Sequence, residues 1–435
     1  KNTVVEFAYV GARGTNLYMP RVNLNPRDIN FVEFLEGSNL NAETTFADPL
    51  GRRNALGAVV TIQRNSVTSP YFGFGNLDQY FQPAATSIRH AGYVEVRRRF
   101  SDGFSFTANY TYGKSIDDAS DSQPDVRVLT TGSTLGQVSY GAPRSGDRSI
   151  STFDIKHNFT STFVWDIPVG KKRWLLSNAP SVVDAIVGGW SLSGVFRLQG
   201  GQPFLPFITD TNRLGGVNRT VRLNLVPGVP IKNPLYDKGC SIGAGCQPYI
   251  NPAAFMRPPK GELGNAPRTL DVRAPMQKYF DLSIQKNFPM PFIGGEGKRR
   301  INFRVDFLNA LNIPNFRYVN TGNTPPGYGT YPSENNFTQA DINSWLAANP
   351  GRTTDLATVN ALLATARLPT GGFRLDMFSI RVPEGFATMV PNNFDITTLD
   401  GIRLYRLRQT YDANFGSLFA VNNPRYIQFG LRLFF

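Results

Sequence analysis

Apolar and polar side chains alternate over stretches of about ten residues, again and again along this chain. In 104–113, Phe104, Phe106, Ala108, Tyr110 and Tyr112 fall on one side, and Ser105, Thr107, Asn109 and Thr111 on the other. Residues 154–168 set Ile155, Phe159, Phe163, Trp165 and Ile167 against Asp154, Lys156, Asn158, Thr160 and Asp166. Residues 190–199 set Trp190, Leu192, Phe196 and Leu198 against Ser191, Ser193, Arg197 and Gln199, and 278–288 and 301–311 follow the same rule. So does the closing stretch YIQFGLRLFF, with Ile427, Phe429, Leu431, Leu433 and Phe435 on one face and Gln428 and Arg432 on the other. A period of two is that of a β-strand, whose successive side chains point to opposite faces. With weaker cases at 3–11 and 86–100, the pattern predicts about eight strands and an all-β fold.

Short and long connections take turns between these strands. Residues 101–103 (SDG) form a tight turn, and 169–189 and 289–300 are fairly short. Between them lie long segments at about 13–85, 117–153, 200–277 and 313–425. A soluble sandwich has no cause to sort its loops in this way. A transmembrane antiparallel barrel does, because its periplasmic turns are short and its external loops long. With the long loops outside, 104–116, 190–199 and 301–312 run outward, while 154–168, 278–288 and the last strand run inward. Trp165, Ile167 and Trp190 then fall at the periplasmic interface and Tyr110 and Tyr112 at the outer one, as aromatic girdles require. Arg432 on the lipid side would cost ~2–4 kcal/mol near the midplane. Arg197, Arg304, Asp306 and Arg432 are therefore expected to face inward. Inside the last long segment, 338–349 and 353–367 carry apolar residues at helical spacing with threonines available as caps, which predicts two short helices.

Composition agrees with strands. Of 435 residues, 33 are Phe and 17 are Tyr, and charged residues are only 18%. No run approaches the ~20 apolar residues of a membrane helix, which says nothing against a barrel. No charged-then-apolar leader precedes Lys1, and the chain starts almost inside a strand, so it is expected to be part of something longer. The net charge of +13 is dispersed, with short clusters at 97–99, 171–173 and 298–300, and does not form a nucleic-acid footprint. External cations are better placed to meet lipopolysaccharide phosphates, and lumenal ones an anionic solute or the carboxylates of a plug.

Little in the sequence points to catalysis. His90 and His157 lie on alternating strands, where a rim or structural role outweighs general-base work, and there is no phosphate loop, HExxH or Ser-His-Asp arrangement. An enzyme is not expected. Asp117, Asp118, Asp121 and Asp125 cluster in an external loop and are candidate calcium ligands, although they lack EF-hand spacing; a solvated loop is the other reading. No other cofactor is implied. Cys240 and Cys246 flank a glycine-rich turn, which suits either a local disulfide in an oxidising compartment or a free pair.

Several stretches resemble the C-terminal barrel of the Oar-like TonB-dependent receptors, a family with a carboxypeptidase-regulatory-like N-terminal domain. They are NYTYGKSIDDAS (109–120), WLLSNAPSVVDAIVGGWSLSGVFRLQGGQPF (174–204), FRVDFLNALNIPNF (303–316) and NPRYIQFGLRLFF (423–435). DRSISTFDIKHNF (147–159) and GNAPRTLDVRAPMQKYFDLSIQKNF (264–288) fit as well. The resemblance implies a Gram-negative outer-membrane barrel of about 22 strands closed around a plug. It further implies import driven by the TonB complex through N-terminal sequence that this chain does not contain. No plug or TonB-contacting box is visible, so residues 1–435 are expected to be the C-terminal portion of such a barrel; a small closed barrel is the other reading. The last strand also resembles the signal read by the barrel-assembly machinery, carried here by Ile427, Phe429, Leu431, Leu433 and Phe435. The expected function is ligand capture and energy-coupled import. The alternatives are an outer-membrane scaffold or adhesin whose surface loops bind other proteins, and a passive pore.

Overall fold

A computed structural model of the chain describes residues 2–25, 28, 31, 34–35, 44–72, 74, 77–120, 147–171, 173–204, 206–209, 220–238, 245–259, 264–289, 300–318, 335–367, 375, 379–411, 415–420 and 424–434. Eight strands form one antiparallel sheet in chain order. They are β1 (Thr3–Asn23), β2 (Asp78–Ser101), β3 (Phe104–Asp117), β4 (His157–Asp166), β5 (Trp190–Gln199), β6 (Gln277–Pro289), β7 (Arg300–Leu308) and β8 (Tyr426–Phe434). The two-residue strand Ser149–Ile150 pairs off this path with β3. Among the described residues β1 and β8 are not paired with each other, so the sheet is the wall of a barrel rather than a closed one.

Register carries the alternation from strand to strand. Phe104 lies opposite Trp165, Phe106 opposite Phe163 and Tyr110 opposite Phe159. Trp165 in turn meets Leu192, Ile284 meets both Leu192 and Val305, and Val305 meets Phe429. Apolar side chains therefore share one face of the whole wall. On the other face Thr160 lies opposite Arg197, Gln285 opposite Arg304 and Asn302 opposite Arg432. Arg197, Arg304, Asp306 and Arg432 share that polar face, as the inward facing expected for them requires. Slipping one strand by a single residue would reverse both faces at once, so the register is strongly specified. No described helix is long and apolar enough to cross a membrane, which says nothing of strands.

Some boundaries differ from the sequence reading. The first hairpin is far longer than 3–11 and 86–100, because β1 and β2 stay paired out to Asn23 and Asp78. A spanning strand needs only ~9–11 residues, so the hairpin projects well past the bilayer. Its outer part lacks the alternation because lipid no longer sorts the faces there. Strand β4 starts at His157 rather than at 154, since the carboxylate of Asp154 is taken up outside the sheet by the Ser115 N–H and by Arg273. Strand β7 stops at Leu308, where Asn309 turns the chain with a φ of 49°.

The densest core lies outside the sheet. Described parts of 200–276 and 309–425 pack into a cap with its own hydrophobic interior, in which Leu223, Ile250, Phe255, Val359, Phe386 and Ile396 are fully buried. The short helix α1 (Ser181–Val187) belongs to the periplasmic turn; α2 (Gln339–Ala348), α3 (Leu356–Ala366) and α4 (Leu399–Thr410) belong to the cap. Helices α2 and α3 are the two predicted ones. Thr338 caps α2 through the Asp341 N–H, but the cap of α3 is Asp355, not a threonine. Helix α4 was not expected, because Gly401 in its first turn reads as a breaker. A Cβ there would sit 1.7 Å from the Asp395 carbonyl oxygen, so this close approach needs glycine.

Candidate functional site

Where the cap meets the tops of β3 and β4, three arginines from the third long segment meet three aspartates between the end of β3 and the start of β4. The guanidinium of Arg268 is completely buried. It pairs with the carboxylate of Asp117 and donates to the Asp117 carbonyl at 3.0 Å, to Ser120 Oγ at 2.7 Å and to the Asp147 carbonyl at 3.0 Å. Arg222 pairs with the Asp147 carboxylate. Arg273 donates to Asp154 Oδ2 at 2.6 Å, to the Asp154 carbonyl at 2.9 Å and to Asp271 at 2.8 Å. Burial pulls the Arg222 pKa down against the opposing pull of Asp147. For Arg273 burial also lowers the pKa, but the bonds to Asp154 and Asp271 outweigh it and the net shift is upward. Both stay protonated, because an arginine gives up its proton only far above neutral pH.

These contacts fix the cap rather than bind a mobile group. Each of the three guanidinium groups has an aspartate partner, and those of Arg268 and Arg273 make further hydrogen bonds, the condition under which a buried pair is tolerated. The hydroxyl of Ser151 donates to that of Ser115 at 2.9 Å, and Tyr249 donates to the Arg273 carbonyl at 3.0 Å, tying strand end, loop and cap into one network. Inside the cap, the Trp345 indole donates to the Phe394 carbonyl at 2.7 Å. Arg406 lies 4.2 Å from the Phe337 ring centroid and donates to the Asn335 carbonyl at 2.6 Å; burial lowers its pKa. The result is a packed body joined to the wall at the outer ends of β3 and β4.

The sequence candidates end up in different places. Asp117 is neutralised by Arg268, and Asp118 accepts from the Thr86 N–H at 2.7 Å and its hydroxyl at 2.9 Å. Asp121 and Asp125 lie outside the described residues. Among the described residues no group of three or more His, Cys, Asp or Glu is placed to hold a metal. Cys246 is disulfide-bonded; Cys240, the other cysteine of the sequence, lies outside the described residues. Ile427, Phe429, Leu431 and Leu433 line one exposed face of β8, and Phe435 lies outside the described residues. Nδ1 of His90 is 2.5 Å from the Tyr9 hydroxyl and Nδ1 of His157 is 2.8 Å from that of Tyr110, so both histidines join the outer aromatic girdle. Sequence reasoning missed Arg222, Arg268, Arg273, Asp147 and Asp154. The signal for four of them lay in the segments DRSISTFD and PRTLDVR, which do not say that they meet, and Arg222 lies in neither.

Comparison with solved structures finds the outer membrane transporter YddB from Escherichia coli, 10% identical, with a TM-score of 0.32, over 74% of this chain. The chain spans 28% of that protein's length. No curated protein matches it. The model of the family described as "Outer membrane beta barrel domain" matches residues 1–340, which takes in seven of the eight strands. A single-faced apolar wall, aromatic rims and long loops gathered at one end are features of outer-membrane barrels, and this chain, a β-barrel wall of the outer membrane, belongs to that family.

Proposed function

We propose that the chain is the C-terminal wall and external cap of a TonB-dependent, Oar-like outer-membrane transporter. The observation that carries the reading is the cap. Two long loops build a packed interior of their own, and the first of them is bolted to the region between β3 and β4 by buried Arg–Asp pairs. A passive pore has no need of such a body at its mouth. A receptor that must present a preorganised surface to a scarce solute does, since rigidity removes the ordering cost of binding. In this reading the cap captures the ligand, the polar inner face conducts it, and further strands pair with the free edges of β1 and β8. A plug gates the lumen under TonB control. Lipopolysaccharide phosphates pair with external cations, and the assembly machinery reads β8.

The test compares cells with and without the full-length gene, offered a defined mixture of peptides, oligosaccharides and ferric chelates, with and without an uncoupler. Mass spectrometry of the periplasm is expected to find a solute whose accumulation needs both the gene and the proton-motive force. Gene-dependent entry that ignores the uncoupler would establish a passive pore. Unchanged uptake together with lost surface attachment on removal of 313–425 would establish a scaffold or adhesin.

A further inference from the structure

The periplasmic turn between β4 and β5 is far more apolar on its surface than a water-exposed turn should be. Trp174 is 84% exposed, Val182 74% and Ile186 66%, and Leu175, Leu176 and Val183 are exposed beside them. None of the residues of α1 is buried. Yet the turn is well built. The carboxylate of Asp184 accepts the Lys171 N–H at 2.5 Å, and Gly170, with a φ of 121°, leaves the room that this contact needs. A defined structure that displays apolar side chains calls for a specific cover.

Two side chains place α1 on the outer wall. Lys286 Nζ donates to the carbonyls of Ala185 and Ile186 at 2.6 and 3.0 Å, and the Trp190 indole donates to that of Ile186 at 2.9 Å. Lys286 and Trp190 lie opposite each other in register, and Lys286 lies opposite Phe303; all three belong to the apolar face of the wall. Lys286 is buried between the rings of Trp190 and Phe288, with centroids at 5.5 and 5.0 Å. A lysine on a lipid-facing surface is otherwise unfavourable; here the C-terminal carbonyls of α1, the negative end of its dipole, take its charge. The helix is thus clasped to the lipid side of the barrel at the level of the periplasmic girdle.

We propose that the turn 171–187 is an interfacial foot that lies in the periplasmic leaflet and binds phospholipid. Trp174, Val182 and Ile186 enter the acyl boundary, and Lys171 and Arg173 meet headgroup phosphates. Charge fits this occupant. The turn carries Lys171, Lys172 and Arg173 against a single acid, Asp184, which is already engaged by a backbone N–H. An apolar surface with a basic border, continuous with the lipid-facing band, is how interfacial helices bind. The inference rests on membership of the outer-membrane barrel family and not on the transport reading, so either can fail alone.

The experiment uses the full-length protein reconstituted in phosphatidylethanolamine–phosphatidylglycerol vesicles, with an environment-sensitive fluorophore on Val182→Cys. Phe429→Cys on the wall and Val390→Cys on the cap serve as lipid and water references. The label at 182 is expected to emit at shorter wavelength than at 390, to be quenched by lipids brominated near the headgroup, and to resist aqueous iodide several-fold better. Lys171→Glu with Arg173→Glu is expected to reduce the lipid quenching in phosphatidylglycerol vesicles but not in neutral ones. Water-like emission and full iodide access at 182, with 429 still quenched by lipid, would overturn the proposal and leave the turn to a periplasmic protein. Loss of lipid quenching at 429 as well would remove the membrane wall on which the proposal rests, and the proposal with it.

Discussion

At the scale of single residues, charge placement follows dielectric. On the wall Arg197, Arg304 and Arg432 face the polar side, and in the cap junction Arg268 is buried only because Asp117 is buried with it. Removing one member of such a pair strands the other without water, at a cost of ~3–5 kcal/mol, whereas replacing both costs far less. Arg268→Met is therefore expected to loosen the cap by about that amount, seen as faster protease cleavage in 264–276 and a lower denaturant midpoint. Adding Asp117→Asn should restore most of the loss. If the double variant is no better than the single one, the Coulombic account of this junction is wrong. The same logic covers the two described acids of the acidic loop: Asp117 meets a guanidinium, and Asp118 meets a hydroxyl and an N–H.

At the scale of elements, strands and helices obey different neighbours. Strand β8 was legible to within a residue because its facing depends only on a period of two and on β7 beside it. Phe429, 71% exposed on the apolar face, and Gln428, on the polar face, give that claim a sharp contrast. Phe429→Arg is expected to destabilise the folded protein in vesicles by ~2–4 kcal/mol if it lies near the midplane, while Gln428→Arg should change stability little. Equal effects in reversible unfolding would reverse the assignment of faces. The outer halves of β1 and β2 were not legible, because beyond the bilayer nothing imposes alternation. Helix α4 was hidden for a different reason. Its Gly401 serves a close backbone approach from Asp395, a contact that propensity cannot register.

At the scale of the whole molecule, two bodies meet that are stabilised by different solvents. The wall is held by register and lipid; the cap is held by burial from water of Trp345, Ile342, Leu363, Phe386 and their neighbours. Trp345→Ala removes a fully buried ring and its hydrogen bond to Phe394, a change worth ~3–5 kcal/mol. The expected outcome is a separate, earlier unfolding of the cap in calorimetry while far-UV circular dichroism still reports an intact sheet. A single coincident transition would mean that wall and cap are one cooperative unit.

The sequence alone determined the strands of the wall, their facing, the aromatic rims and the sorting of short turns from long loops. Each of these depends on spacings of a few residues and on the neighbouring strand, which local chemistry can specify. Only the tertiary structure decided that Arg268 reaches Asp117 across 151 positions and that Arg273 reaches Asp154 across 119. It also decided that the loops share one core and that α1 is clasped to the outer wall by Lys286. Those contacts join segments with no common period, so they arise only when burial forces distant charges and carbonyls to find each other.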